Sequence, residues 1–446
     1  MKGLFRLPAV LALVTAAPAA RADDWPQWMG PTRDGVWREA GVLRSFPPGG
    51  PPRRWAVPVH AGYAGPAVAG GRVFVTDFVR TGGAPDHAPS PAKRNVLDGT
   101  ERVLCLDAAT GAPVWKHEYA CRYELSYPGG PRCTPTVSGG KVYTLGAMGD
   151  LLCLDEKTGA VLWAKNFPKD CRAKTPLWGF CGHPLVFRKL LVCVACGKDG
   201  LLVAFDKDTG KEAWTALSGE EAGYCPPTLV DAPGGPELVV TTPTAVVGLD
   251  PASGAKRWDV PFRPRYAMAI AAPRLEGDLL FAGALGDAVA VRLGTAQTAA
   301  TEVWRADRHT GVYPSNSSPV VAGGVVYGVD AGGELRAVRL ATGERLWETT
   351  EPVTGRPNAP AQHGTAFLVR HPDPEADRYF IFNERGELVL ARLSPTGYAE
   401  DGRAKLVEPT GSAFGRPVVW SHPAFADKCV FVRNDKEIAC FSLEKP

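Results

Sequence analysis

The chain has 446 residues, of which 45% are hydrophobic and 22% charged, with 50 Lys and Arg against 47 Asp and Glu. That composition belongs to a folded globular protein and excludes wholesale disorder. Gly (50) and Pro (41) are too frequent for long helices and favour many short strands joined by turns.

Residues 1–22 read as an address. A basic start (Lys2, Arg6) leads into the apolar stretch Leu7 to Ala17, which closes on Ala20-Arg21-Ala22. This is a signal peptide with a small-x-small cleavage site, and its apolar part is too short to span a bilayer. The protein is therefore expected outside the cytoplasm, periplasmic or extracellular and soluble, with no later stretch reading as a membrane span. With Lys2, Arg6 and Arg21 removed, 47 basic residues face 47 acidic ones, and no basic run survives to attract nucleic acid.

Residues 23–51 form a Trp- and Pro-rich extension whose Trp25, Trp28 and Trp37 are expected to pack onto the main domain, 52–446. Within that domain one unit repeats. CLDAATGAPVW (105–115), CLDEKTGAVLW (153–163), AFDKDTGKEAW (204–214), GLDPASGAKRW (248–258) and AVRLATGERLW (337–347) are nearly the same text. The Asp slot falls at 107, 155, 206, 250, 292, 339, 392 and 442, in steps of 42 to 53 residues. Such a period marks a repeat architecture.

Each copy holds four strand signals: a short strand entered near a proline, a β-rich run such as KVYTLG (141–146), the strand ending in the Asp slot, and a strand ending in Trp. In D-x-x-T-G the Asp carboxylate accepts turn N–H groups and the Gly takes positive φ. The Trp is expected to wedge between neighbouring units, with its N–H on a local acceptor. Just before the turn, a small-residue column runs through Cys105, Cys153, Ala204, Gly248, Val291, Val338, Ala391 and Cys440.

Four strands in about 48 residues make a propeller blade. The first three strand types occur eight times. The Trp-ending strand recurs to Trp347, has a Trp-less copy at AKLVE (404–408), and is missing after 443, while a spare copy, PRRWAVPV, sits upstream at 52–59. The expected fold is all-β: an eight-bladed propeller of four-stranded antiparallel blades, closed by that N-terminal strand, with seven blades as the fallback. Residues 80–100 interrupt the first blade and read as a surface loop containing Asp86 and His87.

The LDxxTGxxxW repeat resembles the PQQ-like β-propeller family over about residues 52–446, and DDWPQWMGPTRDGVW after the leader is similar to exported bacterial members called PQQ-binding-like proteins. The resemblance implies two classes. One is the PQQ-dependent alcohol and sugar dehydrogenases, which use adjacent cysteines and calcium carboxylates. The other is the non-catalytic propeller of outer-membrane β-barrel assembly. Fold cannot choose between them. None of the eleven Cys are adjacent, and C-x-x-C-H is absent. The reading is a non-catalytic binding or scaffold protein of the envelope, monomeric, with an envelope protein, small molecule or glycan as partner. No cofactor is expected; PQQ with calcium belongs to the dehydrogenase alternative.

Loops entering the first strands share one mouth of a propeller, and loops on a rigid scaffold carry function. Their candidates for a ligand funnel are Tyr63, Arg132, Trp178, His183, Tyr224, Tyr266, Asn316, Trp420 and His422. Cys133, Cys181, His183, Cys225 and His422 also fall there, but in no zinc spacing. Cys121 with Cys133 and Cys171 with Cys181 are pairs an oxidising compartment allows to bridge.

Overall fold

The second blade shows how the repeat text becomes structure. Val142 to Leu145 and Leu151 to Leu154 are buried without alternation, because both faces of these middle strands meet neighbouring blades. Gly139 and Gly140 sit at φ 59° and 76°, the two left-handed residues of a tight hairpin between Thr136–Ser138 and Lys141–Leu145. The outer strand Val161–Asn166 is largely exposed.

The computed structural model describes residues 23–83, 93–197, 200–219, 223–295, 299–307, 309–374 and 377–445, without the side chain of Cys196. The leader 1–22 and the Asp86–His87 segment lie outside these. Eight four-stranded antiparallel sheets form a ring. In chain order their inner strands are Ala67–Ala69, Thr136–Ser138, Leu185–Phe187, Thr228–Ala232, Arg274–Glu276, Val320–Ala322, Ala366–His371 and Ala424–Ala426. The last of these lies beside the first, so the ring is closed. The eighth blade takes its outer strand from Arg53–Pro58, which pairs with Glu437–Ser442, Trp55 opposite Cys440. The expected closure and blade count both hold.

The repeat letters have the expected chemistry and one further reason. Asp155 Oδ1 accepts from Lys157 N (3.1 Å), Thr158 N and Thr158 Oγ1 (both 2.8 Å). Trp115 of blade one donates its N–H to Glu156 O in this same turn of blade two (2.9 Å). Trp55, Trp163 and Trp304 reach the next blade in the same way, at Ala108, Lys207 and Leu340. Gly159 (φ 73°) lies directly beneath the Trp115 ring, where a Cβ would come within 2.5 Å. Gly111, Gly210, Gly254 and Gly343 lie under Trp55, Trp163, Trp214 and Trp304 likewise. The glycine therefore serves the turn and vacates the space that the wedge fills.

Three expectations need correction. The residue facing the indole is Cys105, Cys153, Ala204, Gly248, Ala290 or Ala337. Blades five and six thus use Ala290 and Ala337 where Val291 and Val338 were expected, because the facing residue lies two positions before the Asp slot in all six blades and the same register shift follows it in each. The outer strand of blade seven is Gly397–Lys405, not 404–408, since the hairpin closes at Ser394 opposite Gly397 and leaves no room for a longer connection. Most of the described part of 80–100 is strand: Arg72–Gly82 and Asn95–Asp107 pair out to Gly82 opposite Asp98. Phe78, Leu97, Cys121, Tyr123 and Leu125 give that extension its own small core.

Residues 23–45 cross one end of the ring. Trp25 exchanges main-chain hydrogen bonds with Val68 of blade one, and Pro26 O accepts from Val137 N of blade two. Arg370 N donates to Gly35 O and Trp37 N to Arg370 O, on blade seven; Leu43 N reaches Leu443 O on blade eight. Trp25, Trp28 and Trp37 are all buried. Ten cysteines are described, all as free thiols. Cys133 donates to Phe180 O and Cys181 to Trp178 O, so the two bridges weighed from sequence are absent. No helix among the described residues is long and apolar enough to cross a membrane.

Candidate functional site

The loops that enter all eight inner strands converge on one cavity of about 790 Å³, and the N-terminal segment supplies its floor. This volume lies in the range of small-molecule sites. Tyr63, Arg132, Trp178, His183, Tyr224, Tyr266, Asn316, Trp420 and His422, the nine residues named from sequence, all line it. So do Trp28, Arg94, Tyr127, Lys174, His363, Phe367 and Phe414, which sequence reasoning did not name.

The floor is aromatic and uncharged at its surface. Trp28 stacks on His183 (4.7 Å between centroids, 11°) and meets His422 edge-on (5.7 Å, 81°). Phe367 lies 3.9 Å from His422. Thr134 N donates to His183 Nδ1 (3.0 Å), which places the imidazole proton on Nε2. Burial and Arg33 hold His183 well below the usual histidine value; burial and Arg274 hold His422 down at about 3. Both rings are neutral at pH 7. The buried Trp28 indole N–H has no partner among the described residues.

Beneath the floor lie two guanidinium groups. Arg33 bonds to Pro184 O (2.8 Å) and His183 O (3.1 Å), and Arg274 to Pro319 O (2.8 Å) and Arg33 O (3.0 Å). They sit 5.4 and 5.9 Å from the Trp28 ring centre. Burial lowers Arg33 to about 9 and Arg274 to about 10, so both remain cations at pH 7.

The walls separate positioning residues from open ones. Arg132 is a clamp: it donates to the carbonyls of Trp178 (2.8 Å), Ser126 (3.1 Å), Tyr127 and Gly130, and covers the Tyr63 ring at 5.0 Å. Asn316 donates to Thr365 Oγ1 (3.0 Å) and His363 O (3.3 Å). Trp420 donates to Glu384 Oε2 (3.1 Å), and Arg416 neutralises that carboxylate. Trp178 and Tyr224 meet at 5.3 Å and 55°. At the rim, Tyr127, Phe414 and Trp420 stand 6.1 to 6.4 Å apart with tilts of 38° to 49°. Tyr266 is 79% exposed.

Backbone strain concentrates at this mouth. Tyr127, Tyr266, Ala267, His363 and Phe414 all line the cavity with φ between 48° and 57°. Phe414 tips a two-stranded hairpin, Gly411–Ala413 with Arg416–Val418, that stands between blades seven and eight. Its Phe-Gly turn is a hairpin signal that the sequence does carry. Left-handed non-glycine residues cost energy and collect at ligand clamps.

The lining contains no Asp or Glu. Calcium is held by carboxylate and carbonyl oxygens, so a calcium–quinone centre does not fit these residues. Cys181, the thiol on the wall, is pushed up to about 11 by burial and donates to a carbonyl, which leaves no activated nucleophile there. What the arrangement can do is bind: flat apolar faces, a few oriented donors and excess positive charge.

Ring, plugged end and loop-built cavity together define an axial-cavity β-propeller. The family profile described as Outer membrane protein assembly factor BamB matches residues 99–349 and 301–445, and the chain belongs to that family of PQQ-like propellers. Among solved structures, BamB from Moraxella catarrhalis is 15% identical, covering 88% of this chain and 99% of its own, with a TM-score of 0.43. A europium-containing methanol dehydrogenase is 14% identical over 81% of this chain and 90% of its own (TM-score 0.49). Quinohemoprotein alcohol dehydrogenase from Comamonas testosteroni is 16% identical over 96% and 82% (TM-score 0.46). No curated protein matches the sequence. Likenesses this distant carry no functional argument.

Proposed function

We propose that this is an exported propeller of the cell envelope that binds a small ligand in its axial cavity and performs no catalysis. The observation that carries this reading is a prebuilt aromatic cavity whose lining has no carboxylate and no activated nucleophile, and whose three histidines are all lowered by burial. General acid–base chemistry needs a group poised near the operating pH, and burial moves each lining histidine below its ordinary value. The leader at 1–22 supports export.

Native mass spectrometry of the protein purified from cell envelope tests the reading. A stoichiometric small-molecule adduct, lost in Trp420→Ala, is the expected result. Dye reduction by the pure protein given PQQ, calcium and an alcohol would overturn it in favour of a dehydrogenase. The family's description supports a second reading, an accessory of outer-membrane barrel assembly, and co-purification with a membrane barrel protein is its test.

A further inference from the structure

The cavity has an uncompensated charge. Arg94, Arg132 and Lys174 line it and no acid does. Arg94 bonds only to main-chain carbonyls, those of Glu124 (2.8 Å), Thr175 (2.9 Å) and Pro176 (3.5 Å). The bonds of Arg132 are also all to carbonyls. Lys174 is exposed and has no ion-pair partner among the described residues. Below the floor, Arg33 and Arg274 are buried on carbonyls and the Met29 thioether, with no carboxylate bonded to either. The nearby acids are already used, Glu384 by Arg416 and Asp34 by Arg38. Elsewhere in this protein, Arg102, Arg336 and Arg378 meet Asp77, Asp330 and Asp373, and the buried Arg433, on the carbonyls of Thr76, His60 and Asn434, is the exception. Burial makes Arg33 and Arg274 costly without a counter-charge, and Arg94, Arg132 and Lys174 add an unbalanced positive field to the same cavity, which an anion would balance.

The rim specifies the shape of that anion. A flat ligand wants a parallel-walled slot. Tyr127, Phe414 and Trp420 are instead tilted against one another by 38° to 49°, and Trp178 against Tyr224 by 55°. Rings at such angles form a concave wall that suits the successive, differently inclined faces of linked sugar rings. The floor offers the His183 Nε2–H, a donor, to acceptor oxygens.

We propose that the axial cavity binds an anionic oligosaccharide of the uronate class, its sugar faces on the rim rings and a carboxylate toward Lys174. This deepens the reading that the cavity is a ligand site and rests on it.

The test is calorimetric titration of the full chain with trigalacturonate, neutral galactotriose and planar benzenetricarboxylate, at two salt concentrations. Trigalacturonate is expected to bind at least about tenfold more tightly than galactotriose and to weaken with salt. Lys174→Glu is expected to lower its affinity about tenfold and Lys174→Arg to retain it, with melting unchanged because the side chain is exposed. Equal affinity for galactotriose would overturn the anion and leave a sugar site. Binding of benzenetricarboxylate alone would overturn the saccharide. No binding of any of the three by a normally melting protein would overturn the proposal, while an unrelated adduct in native mass spectrometry would still uphold the cavity as a ligand site.

Discussion

A single methyl group is enough to test the blade contact. Gly159→Ala would set a Cβ 2.5 Å from the Trp115 ring at a backbone φ of 73°. Overpacking and the left-handed penalty together predict a loss of about 1–3 kcal/mol, read as a lower urea midpoint at unchanged slope. Histidines set the pH response. His183 and His422 have native values depressed below the ordinary value of about 6.5, so the unfolded chain takes up protons first as the pH falls. The contribution of His422 is fully present above pH 6.5 and is lost on acidification toward pH 3, and that of His183 is lost in the same sense, by at most about 1.4 kcal/mol per pH unit for each ring. His363 is also lowered by burial and acts in the same sense; the buried Glu101 carboxyl, raised by desolvation, acts in the opposite one. Urea unfolding between pH 7 and 5 reads the slope, and His422→Gln is expected to flatten it. An unchanged slope would mean that His422 protonates in place. Neither the space under the indole nor the neutrality of the histidines was legible in the text of the repeat. The first depends on the next blade's turn coming to lie under the ring, and the second on what burial brings beside a bend residue.

Single elements decide how the mouth of the cavity is built. The hairpin 411–418 holds Phe414 at φ 49°. Asn tolerates that conformation better than Phe, so Phe414→Asn is expected to keep or slightly raise the melting temperature while weakening trigalacturonate binding. A fall in both would show that the ring is structural. The closing strand was readable in advance because it is one more copy of the repeat, with Trp55 in the Trp slot. The N-terminal plug was not. It has no period and no regular strand, and its order comes from single hydrogen bonds to blades one, two, seven and eight and from Arg33 on blade three. The nine funnel residues were legible as loop residues entering a ring, and the structure gathers all nine around one cavity. The role of Arg132 as a clamp was not legible, because its partners are main-chain oxygens of its own and the next loop.

At the scale of the whole ring, closure gives the last blade its fourth strand. A chain lacking residues 53–58 would leave Glu437–Ser442 as an open strand at the rim of the last blade. Loss of cooperative unfolding and concentration-dependent association are expected, measured by calorimetry and light scattering. Trp55→Ala keeps the strand and removes the wedge over Gly111, with an expected cost of about 3–5 kcal/mol.

The eighth blade joins the earliest ordered strand to the final ones, with Arg53 opposite Phe441. A ribosome makes the seven other blades between those two partners, so the ring can close only after all seven have emerged. Until then the plug segment has only part of its seat, since Leu43 and Gly41 bond to Leu443 and Lys445. Completion of the eighth blade and the seating of residues 41–43 are therefore coupled, and a polypeptide cut before Glu437 should carry seven sound blades in an unclosed ring.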